Sequence, residues 1–271
     1  MGIEIIPDMS NEAYHATGAV GKSMLDCIHK SPAHLKVAKN KNPGPPLVLG
    51  SALHCAVLEH ETFNDRYIVE PDVDKRTKAG KEEYAVFVHA MGKKGSPIIL
   101  TQNQLDTVNK MTESLSTHPR IKALFESGQA ETSIFWEENT LPCKCRPDWI
   151  INNGEYVIDL KTTQDASPEG FVKSIANFRY HVQDAWYSRG VQVAFGQAPK
   201  AFIFLAVENK PPHNVGIYSL NQDSKDEGWM VARHDLDKYR DYIKDPEEDR
   251  FDGYSRDVVE LSLPKWAFTQ F

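Results

Sequence analysis

The chain has 271 residues, of which 41% are hydrophobic and 25% are charged. This is the composition of a folded domain with a substantial core. The net charge of -7 excludes a protein that is basic throughout. No apolar run approaches the roughly 20 residues of a membrane helix, and the N-terminus lacks signal-peptide features. We therefore expect one cytoplasmic domain that does not bind a membrane.

Helices are predicted to dominate the first 125 residues. The first runs from about Ser23 to Lys30, with Ser23 as its N-cap, and a second contains His54. A third begins at a capping box formed by Thr101 and Gln104. Its apolar stripe has helical spacing and consists of Leu105, Val108, Met111 and Leu115.

Strands and helices alternate in the second half of the chain. Strands are predicted near 131–137, 143–151 and 155–161, then a helix around Gln183, then strands at 201–207 and 215–220. A last helix has an apolar stripe of Trp229, Ala232, Leu236, Tyr239 and Ile243. This order predicts an α/β fold with a mixed central sheet flanked by helices. We divide it into a helical part (about 1–125), a core (about 126–220), and a C-terminal helix and tail (about 221–271).

The most informative segment extends from Arg146 to Thr163. Asn153-Gly154 is a strong signal for a tight β-hairpin with positive φ at both residues. In that register Asp148 lies opposite Asp159. Because side chains alternate along a strand, Lys161 shares the face of Val157 and Asp159, whereas Tyr156, Ile158 and Leu160 point the other way.

Two opposed carboxylates repel each other unless a positive charge lies between them. Mg²⁺ suits such a pair because it binds one or two carboxylates together with water and phosphate. Lys161 could then hold or deprotonate a metal-activated water, or offset charge on a phosphate. A solvated surface salt bridge is the alternative for this spacing. The apolar residues around the charges favour a buried strand instead.

These motifs together resemble a known family. Pro147-Asp148 followed by Asp159-Leu160-Lys161 resembles the PD-(D/E)XK nuclease signature. The segments 49–59 and 180–187 resemble the G-x-x-x-H and Q-x-x-x-Y helices of its RecB-like branch. Nearly the whole chain is similar to the nuclease domain of the RecE (exonuclease VIII) family, and it also resembles lambda-type alkaline exonucleases. The segments that carry the RecE likeness are SNEAYH, KSMLD, RTKAGKEE, RYHVQDA and LSLPKWA.

The resemblance implies a restriction-endonuclease-like core and a metal site. Its metal ligands would be His54, Asp148, Asp159, the Leu160 carbonyl and Glu131. One or two Mg²⁺ ions would bind, with Mn²⁺ as a possible substitute. Without the resemblance, His54 would be read as a core histidine, and Glu131 equally well as a solvated strand end.

The same resemblance assigns catalytic roles to Lys161, Asp148, Asp159, Gln183 and Tyr187. Gln183 and Tyr187 are four residues apart and share one helical face, from which they could reach a phosphate or support Lys161. Ordinary packing is the alternative for this pair.

DNA contacts are expected in two regions near the N-terminus. Lys22 and Ser23 could hold a 5′-phosphate at a helix start, although simple N-capping by Ser23 is the alternative. Basic residues also cluster in a loop with Lys36, Lys39 and Lys41, and again further on. We expect the second cluster, rather than a merely solvated face, to line a DNA channel: Lys75, Arg76, Lys78 and Lys81. Arg146 is a further candidate contact.

The activity implied by the resemblance is a Mg²⁺-dependent 5′ to 3′ exonuclease. It would degrade double-stranded DNA to nucleotides and leave 3′ single-stranded overhangs for recombination by strand annealing. Its partners would be DNA ends, further copies in a ring (a tetramer rather than a trimer), and an annealing protein of the RecT type. The source would be bacterial or phage-encoded. A site- or structure-specific endonuclease and a catalytically silent DNA-binding module are the alternatives.

The four cysteines show no zinc spacing. They lie at positions 27, 55, 143 and 145, two in predicted helices and two as alternate residues of one strand. Some RecB-like nucleases hold an iron-sulfur cluster on four cysteines, which must then come together in space. We expect reduced thiols and no iron-sulfur cluster here.

Overall fold

A computed structural model describes residues 2–38, 45–92, 97–245, 247 and 250–268. The helical N-terminal half contains β1 (Glu4–Ile6), α1 (Asn11–Ala16), α2 (Lys22–Lys30), α3 (Pro32–Ala38), α4 (Pro45–Leu58), α5 (Phe63–Arg66), β2 (Tyr67–Val69), α6 (Lys78–Gly92), β3 (Ile98–Leu100), α7 (Gln102–Thr117) and α8 (Pro119–Leu124). Helices dominate this half, as predicted, and three short strands accompany them.

The second half supplies most of the sheet. It contains β4 (Gln129–Ala130), β5 (Ser133–Glu138), β6 (Leu141–Cys145), β7 (Trp149–Ile151), β8 (Tyr156–Thr163), α9 (Pro168–Asn177), α10 (Tyr180–Phe195), β9 (Ala201–Glu208), β10 (Val215–Tyr218) and α11 (Gln222–Lys244). Beyond α11 the described residues include a 3₁₀ turn at Lys265–Ala267.

The central sheet is mixed, with strand order β10-β9-β8-β7-β4. Strands β8 and β9 run parallel, and the other neighbours are antiparallel. A second, antiparallel sheet has the order β1-β5-β6, and β2 pairs with β3 in parallel. The α/β class with a mixed central sheet is confirmed.

Strand β8 is buried on both faces because helices cover the central sheet from both sides. Val157 packs in one core with α2, α9, α10 and α11. Ile158 and Leu160 pack in another core with α4, α7 and α8. A strand in this position needs apolar residues on both faces, which explains its near-continuous hydrophobic run. The predicted alternation of side chains is therefore confirmed.

The hairpin between β7 and β8 has the predicted register. Trp149 pairs with Ile158 and Ile151 with Tyr156, so continuing the ladder places Asp148 opposite Asp159. Asn153 and Gly154 both have positive φ, as predicted, and Asn152 does too.

One predicted strand is wrong. The segment 143–151 forms two strands in different sheets: β6 pairs with β5, and β7 pairs with β8. Pro147 stands between them and has no amide hydrogen for a ladder. The strand predicted near 131–137 is also displaced, since β5 begins at Ser133 and β4 lies before it.

The sequence predicts the start of two helices, and the predicted start of α2 is wrong. Its N-cap is Gly21, without a side-chain hydrogen bond, so Ser23 lies inside the first turn and the N-cap prediction is wrong. At α7 the capping box of Thr101 and Gln104 is confirmed. All five predicted stripe residues of α11 pack in the core shared with α10.

The structure describes only part of the loop predicted to carry Lys36, Lys39 and Lys41. Lys36 lies in α3 rather than in a loop and pairs with Asp252 at 2.6 Å. Lys39 and Lys41 lie outside the described residues. Among the described helices, none is both long and apolar enough to span a bilayer.

Candidate active site

The β7–β8 hairpin places Asp148 and Asp159 opposite each other. Asp148 directly precedes β7, and its Oδ2 accepts a hydrogen bond from the Leu160 amide at 2.7 Å. Asp159 lies within β8 and is fully buried. Both carboxylates therefore depend on the hairpin register, which fixes their separation.

His54 approaches the hairpin from α4. Its Nε2 lies 2.8 Å from the Leu160 carbonyl oxygen, and its Nδ1 lies 3.5 Å from Asp148 Oδ2. A carbonyl oxygen only accepts, so Nε2 carries the hydrogen. In a neutral ring the Nδ1 lone pair then faces the Asp148 carboxylate, and two acceptors facing each other favour a cation between them. The Leu160 carbonyl holds the orientation of His54 here, a supporting contact common behind metal-binding histidines.

Glu131 completes this group from a bend between β4 and β5. Its backbone amide donates to the Asp148 carbonyl at 3.0 Å, and its φ of 47° is unusual for a glutamate. One ligand atom from each of His54, Glu131 and Asp148 lies within 4.8 Å of the others. Burial and the neighbouring Asp148 carboxylate raise the pKa of Glu131 to about 8. The structure thus brings three of the predicted ligands together.

Asp159 forms a second, adjoining group with Lys161 and Gln183. Lys161 pairs with Asp159 Oδ2, and Gln183 Nε2 donates to Asp159 Oδ1 at 2.5 Å. Burial and the nearby Asp148 raise the pKa of Asp159 to about 6, in spite of the attraction to Lys161. Burial by itself disfavours the Lys161 ammonium, but the attraction to Asp159 and Asp148 outweighs it and raises the lysine pKa. Lys161 is therefore a cation at neutral pH.

The helix α10 contributes further aromatic contacts. Tyr187 packs against Phe202 with ring centroids 6.3 Å apart, and burial keeps its hydroxyl protonated by raising its pKa far above the usual value. The ammonium of Lys161 lies 5.1 Å from the centroid of the Tyr180 ring. Gln183 and Tyr187 share a helical face, as predicted. Gln183 binds Asp159, whereas Tyr187 packs against Phe202.

The donor set fits a hard divalent cation. Two carboxylates and an imidazole converge here, and Mg²⁺ or Mn²⁺ accepts such ligands. Burial and repulsion by Asp148 together raise the pKa of Glu131, and a bound cation would offset both effects. His54, Glu131 and Asp148 would hold it, and Asp159 lies beside them with its charge shared by Lys161.

The predicted DNA contacts are scattered around this centre. Lys22 Nζ donates to the Phe178 carbonyl at 2.8 Å and pairs with Asp26 at 2.7 Å. Burial lowers the pKa of Lys22, and its charge lies close enough to Lys161 for mutual repulsion. Ser23 is exposed on the first turn of α2.

The second basic cluster is exposed, but its charges are largely balanced. Lys75 pairs with Glu70 at 2.5 Å and Lys78 lies 3.9 Å from Glu82. Arg76 pairs with Asp74 at 2.9 Å. These pairs weaken the attraction that the cluster exerts on a phosphate backbone.

Arg146 has an interior position that its sequence did not reveal. Its guanidinium donates to Ser133 Oγ at 2.9 Å and to the Met9 carbonyl at 3.0 Å, and it lies 4.1 Å from the Tyr14 ring centroid. Because the side chain is buried in these contacts, the structure gives Arg146 a packing role and does not favour the predicted DNA contact.

The cysteines occupy the predicted elements. Cys27 lies in α2 and Cys55 in α4, whereas Cys143 and Cys145 are alternate buried residues of β6. The pKa of Cys145 is raised well above its usual value by burial. The reduced state of the thiols stays a prediction.

Comparison with known proteins decides the family. Residues 19–250 match the family described as a PDDEXK-like domain of unknown function, DUF3799. The chain belongs to this family. The predicted relationship to PD-(D/E)XK nucleases is thereby confirmed, whereas the specific likeness to RecE stays a prediction. No curated protein matches the sequence significantly.

One solved structure shares the fold of this chain. The chain is similar to a proposed exonuclease from Eubacterium rectale, with 13% identity, a TM-score of 0.65, and coverage of 94% of this chain and 96% of that one. It is also similar to a phage-related exonuclease from Haemophilus somnus 129PT, with 14% identity and coverage of 64% and 91%. The TM-score of 0.33 makes the second likeness too weak to support the fold.

An ion-pair network at the start of α10 was missed by sequence reasoning. Arg179 precedes α10 with a left-handed φ of 56° and donates to Asp26 at 3.0 Å. Its other guanidinium nitrogen pairs with the fully buried Asp235, which also lies 2.9 Å from His29 Nδ1. This network joins α2, α10 and α11 at the start of the helix that carries Gln183. The motif RYHVQDA contained Arg179, but its partners are too distant in sequence to be inferred.

Proposed function

We propose that this protein is a divalent-metal-dependent deoxyribonuclease that digests duplex DNA from its 5′ ends. The observation that carries the proposal is the convergence of His54, Glu131 and Asp148 beside the Asp159–Lys161 pair. Family membership supports the nuclease class. His54, Glu131 and Asp148 could hold a metal ion, and Lys161 places a buried positive charge beside them. Hydrolysis of a phosphodiester can use both.

The first group would hold the cation, which we propose to be Mg²⁺, with Mn²⁺ able to replace it. When bound, such an ion polarises a phosphate oxygen and lowers the pKa of a coordinated water. His54 contributes by presenting Nδ1 in a fixed tautomer, because Nε2 is committed to the Leu160 carbonyl. Glu131 contributes an oxygen after losing the proton that it holds at neutral pH in the absence of metal.

Lys161 supplies positive charge to the phosphate rather than acting as a base. Its raised pKa keeps it protonated at neutral pH, and an ammonium has three hydrogens to donate. One of them is directed at Asp159. The others are available to a phosphate oxygen or to the attacking water, where charge accumulates during in-line displacement.

Gln183 acts as a positioning residue. Its amide donates to Asp159 Oδ1 while Lys161 binds Oδ2, so both oxygens of the carboxylate are held from different elements. Rotation of Asp159 would move the lysine as well. The start of α10, fixed by Arg179, thereby sets the position of the charged pair.

Polarity, products and assembly rest on the resemblance to RecE nucleases. We propose that residues 1–271 act as one nuclease domain that releases nucleotides and leaves 3′ overhangs. We further propose a homo-oligomeric ring, preferably a tetramer, that works with an annealing protein of the RecT type in recombination. Lys22 and Ser23 are proposed to receive the 5′-phosphate, because the charge of Lys22 lies near that of Lys161 and the adjacent Ser23 is exposed.

The activity assay uses linear duplex DNA labelled at either the 5′ or the 3′ end, beside covalently closed circles. With Mg²⁺ we expect labelled mononucleotides to appear first from the 5′-labelled strand, while the circle stays intact. EDTA should abolish the reaction. Cutting of the circle would instead identify an endonuclease, and no cutting with Mg²⁺ or Mn²⁺ would refute the proposal.

Variants tie the activity to this centre. Asp148→Asn, Asp159→Asn and Lys161→Ala should each lower the rate by at least about 100-fold, because each removes charge from the reacting phosphate or its metal. The exposed Asp223, in the first turn of α11, provides the matched control Asp223→Asn. Equal loss in this control would show that the effect is not specific to the site.

The proposed ring is tested separately by light scattering on the full chain. A tetramer supports it, and a trimer retains the ring with a different size. A monomer at micromolar concentration refutes it without affecting the nuclease proposal.

A further inference from the structure

Three aromatic rings form a continuous stack beside the catalytic centre. Phe204 lies in β9 opposite Asp159 and is fully buried. The Tyr180 ring stacks on it with centroids 5.9 Å apart and an interplanar angle of 28°. The Phe178 ring stacks on Tyr180 at 5.6 Å and 25°. These distances are those of offset-stacked aromatic pairs.

The stack ends at the surface. Phe178 is 59% exposed, while Tyr180 is half-buried. An isolated exposed phenylalanine is ordinary and by itself indicates nothing. Here, however, the exposed ring is the last member of a column whose inner end adjoins Asp159. A planar apolar group added at the surface would extend that column.

Positive charge lies along the same column. The ammonium groups of Lys161 and Lys22 lie 5.1 Å and 5.9 Å from the centroid of the Tyr180 ring. Lys22 also donates to the carbonyl of Phe178. Each lysine shares its charge with one carboxylate, Asp159 or Asp26. A ligand that combines a flat π-system with phosphate would match both the ring and the cations.

We propose that Phe178 stacks on a nucleobase of an unpaired strand whose phosphates pass Lys22 and Lys161. This inference rests on the proposed function and narrows its substrate. A base inside a duplex has both faces covered by its neighbours, whereas an unpaired base can offer one to an aromatic side chain. The centre therefore takes a strand that has separated from its complement at the DNA end.

The test measures binding rather than cleavage, so EDTA is present throughout. The probe is a 5′-phosphorylated single-stranded oligonucleotide in which each of the first few bases is replaced in turn by 2-aminopurine. We expect fluorescence quenching at one position in the parent protein. Phe178→Ala and Phe178→Leu should lose the quenching and weaken binding by on the order of 5- to 100-fold. Phe178→Trp should retain both.

An abasic nucleotide at the quenched position provides the decisive comparison. Removing the base should weaken binding to the parent by the same factor as Phe178→Ala does. The abasic probe should bind Phe178→Ala and the parent nearly equally. A role of Phe178 in folding alone would lower binding of both probes alike, and that result would overturn the inference.

Further controls distinguish base stacking from nonspecific apolar binding and from contacts between copies of the chain. Met230→Ala removes another exposed apolar side chain, which lies on α11 outside the stack, and should bind like the parent. A change of oligomeric state in Phe178→Ala would identify the ring as a contact between copies and overturn the proposal.

If the parent cuts linear DNA while base removal has no effect on its binding, the inference fails and the nuclease stands. If the parent does not cut DNA but the abasic comparison succeeds, the nuclease fails and the base contact stands.

Discussion

Lys161→Met separates the contribution of the buried pair to stability from its proposed contribution to catalysis. Asp159 is 0% exposed and its lysine partner 16% exposed at the side chain, so the pair is shielded from solvent. The methionine keeps the length of the side chain and removes its charge. Asp159 would then be a buried carboxylate whose remaining donor is Gln183.

The expected loss follows from leaving one charge of a buried pair uncompensated. Such changes cost about 3–5 kcal/mol. We expect the lower end, about 3 kcal/mol, because the Gln183 amide still binds Asp159. For a chain of this size this corresponds to a fall in melting temperature of about 6–12 °C. The pKa of Asp159, already raised to about 6, would rise further.

The direction of the pH dependence follows from that shift. A carboxyl whose pKa is raised in the folded state stabilises the protein at low pH, and this stability is lost as pH rises through the folded pKa. The deficit of Lys161→Met should therefore be small near pH 4.5 and reach its full size near pH 8. Urea denaturation in EDTA at both pH values measures it.

The double variant Asp159→Asn/Lys161→Met removes both charges. Its stability should return to within about 1–2 kcal/mol of the parent, whereas DNA cleavage should remain abolished. Full stability in Lys161→Met alone would refute the buried ion pair. Recovery of cleavage in the double variant would refute the catalytic role of Lys161.

Three further perturbations test other parts of the structure. The affinity for Mn²⁺, measured by calorimetry, should rise by up to about tenfold per pH unit between pH 6 and 8 and then level off. The reason is that the metal must displace the proton held by Glu131. Glu131→Gln should flatten this dependence of affinity on pH. Asp184 is fully buried, and burial raises its pKa to about 6. Asp184→Asn should therefore stabilise the protein by about 1–3 kcal/mol at pH 8 and by progressively less towards pH 4. A difference in unfolding free energy that urea titration shows to be independent of pH would contradict this. A Cβ on Gly228 would lie 2.2 Å from the backbone oxygen of His181. Gly228→Ala should therefore lower the free energy of unfolding by about 1–3 kcal/mol. Gly92 has no atom within 4 Å of the added Cβ, so Gly92→Ala should be nearly neutral.

The sequence predicted the hairpin well because its information is local. Asn153-Gly154 specifies the turn, and the turn then fixes which residues face one another. From this alone the opposition of Asp148 and Asp159 follows, as does the side of β8 on which Lys161 lies. The stripes on α7 and α11 were equally local, since helical spacing shows which face is buried.

Long-range arrangements could not be predicted in the same way. Pro147 marks a break in the strand, but nothing near Arg146 indicates that β6 and β7 enter different sheets. The guanidinium partners of Arg146 are also distant in sequence, since they lie in β5 and in the N-terminal segment. Glu131 was placed in a strand because the apolar residues after it have high strand propensity. Its left-handed backbone arises from the tertiary contact with Asp148, which a propensity argument does not contain.

The short passage between β6 and β7 also restricts how this protein can change. Three residues, Arg146 to Asp148, connect strands of two separate sheets. One inserted residue would lengthen that passage by up to about 3.5 Å, which exceeds the tolerance of the hydrogen bond between Asp148 and Leu160. Homologues should thus accept insertions in other connections while keeping this one at constant length, so its spacing is a better guide to shared chemistry than overall identity.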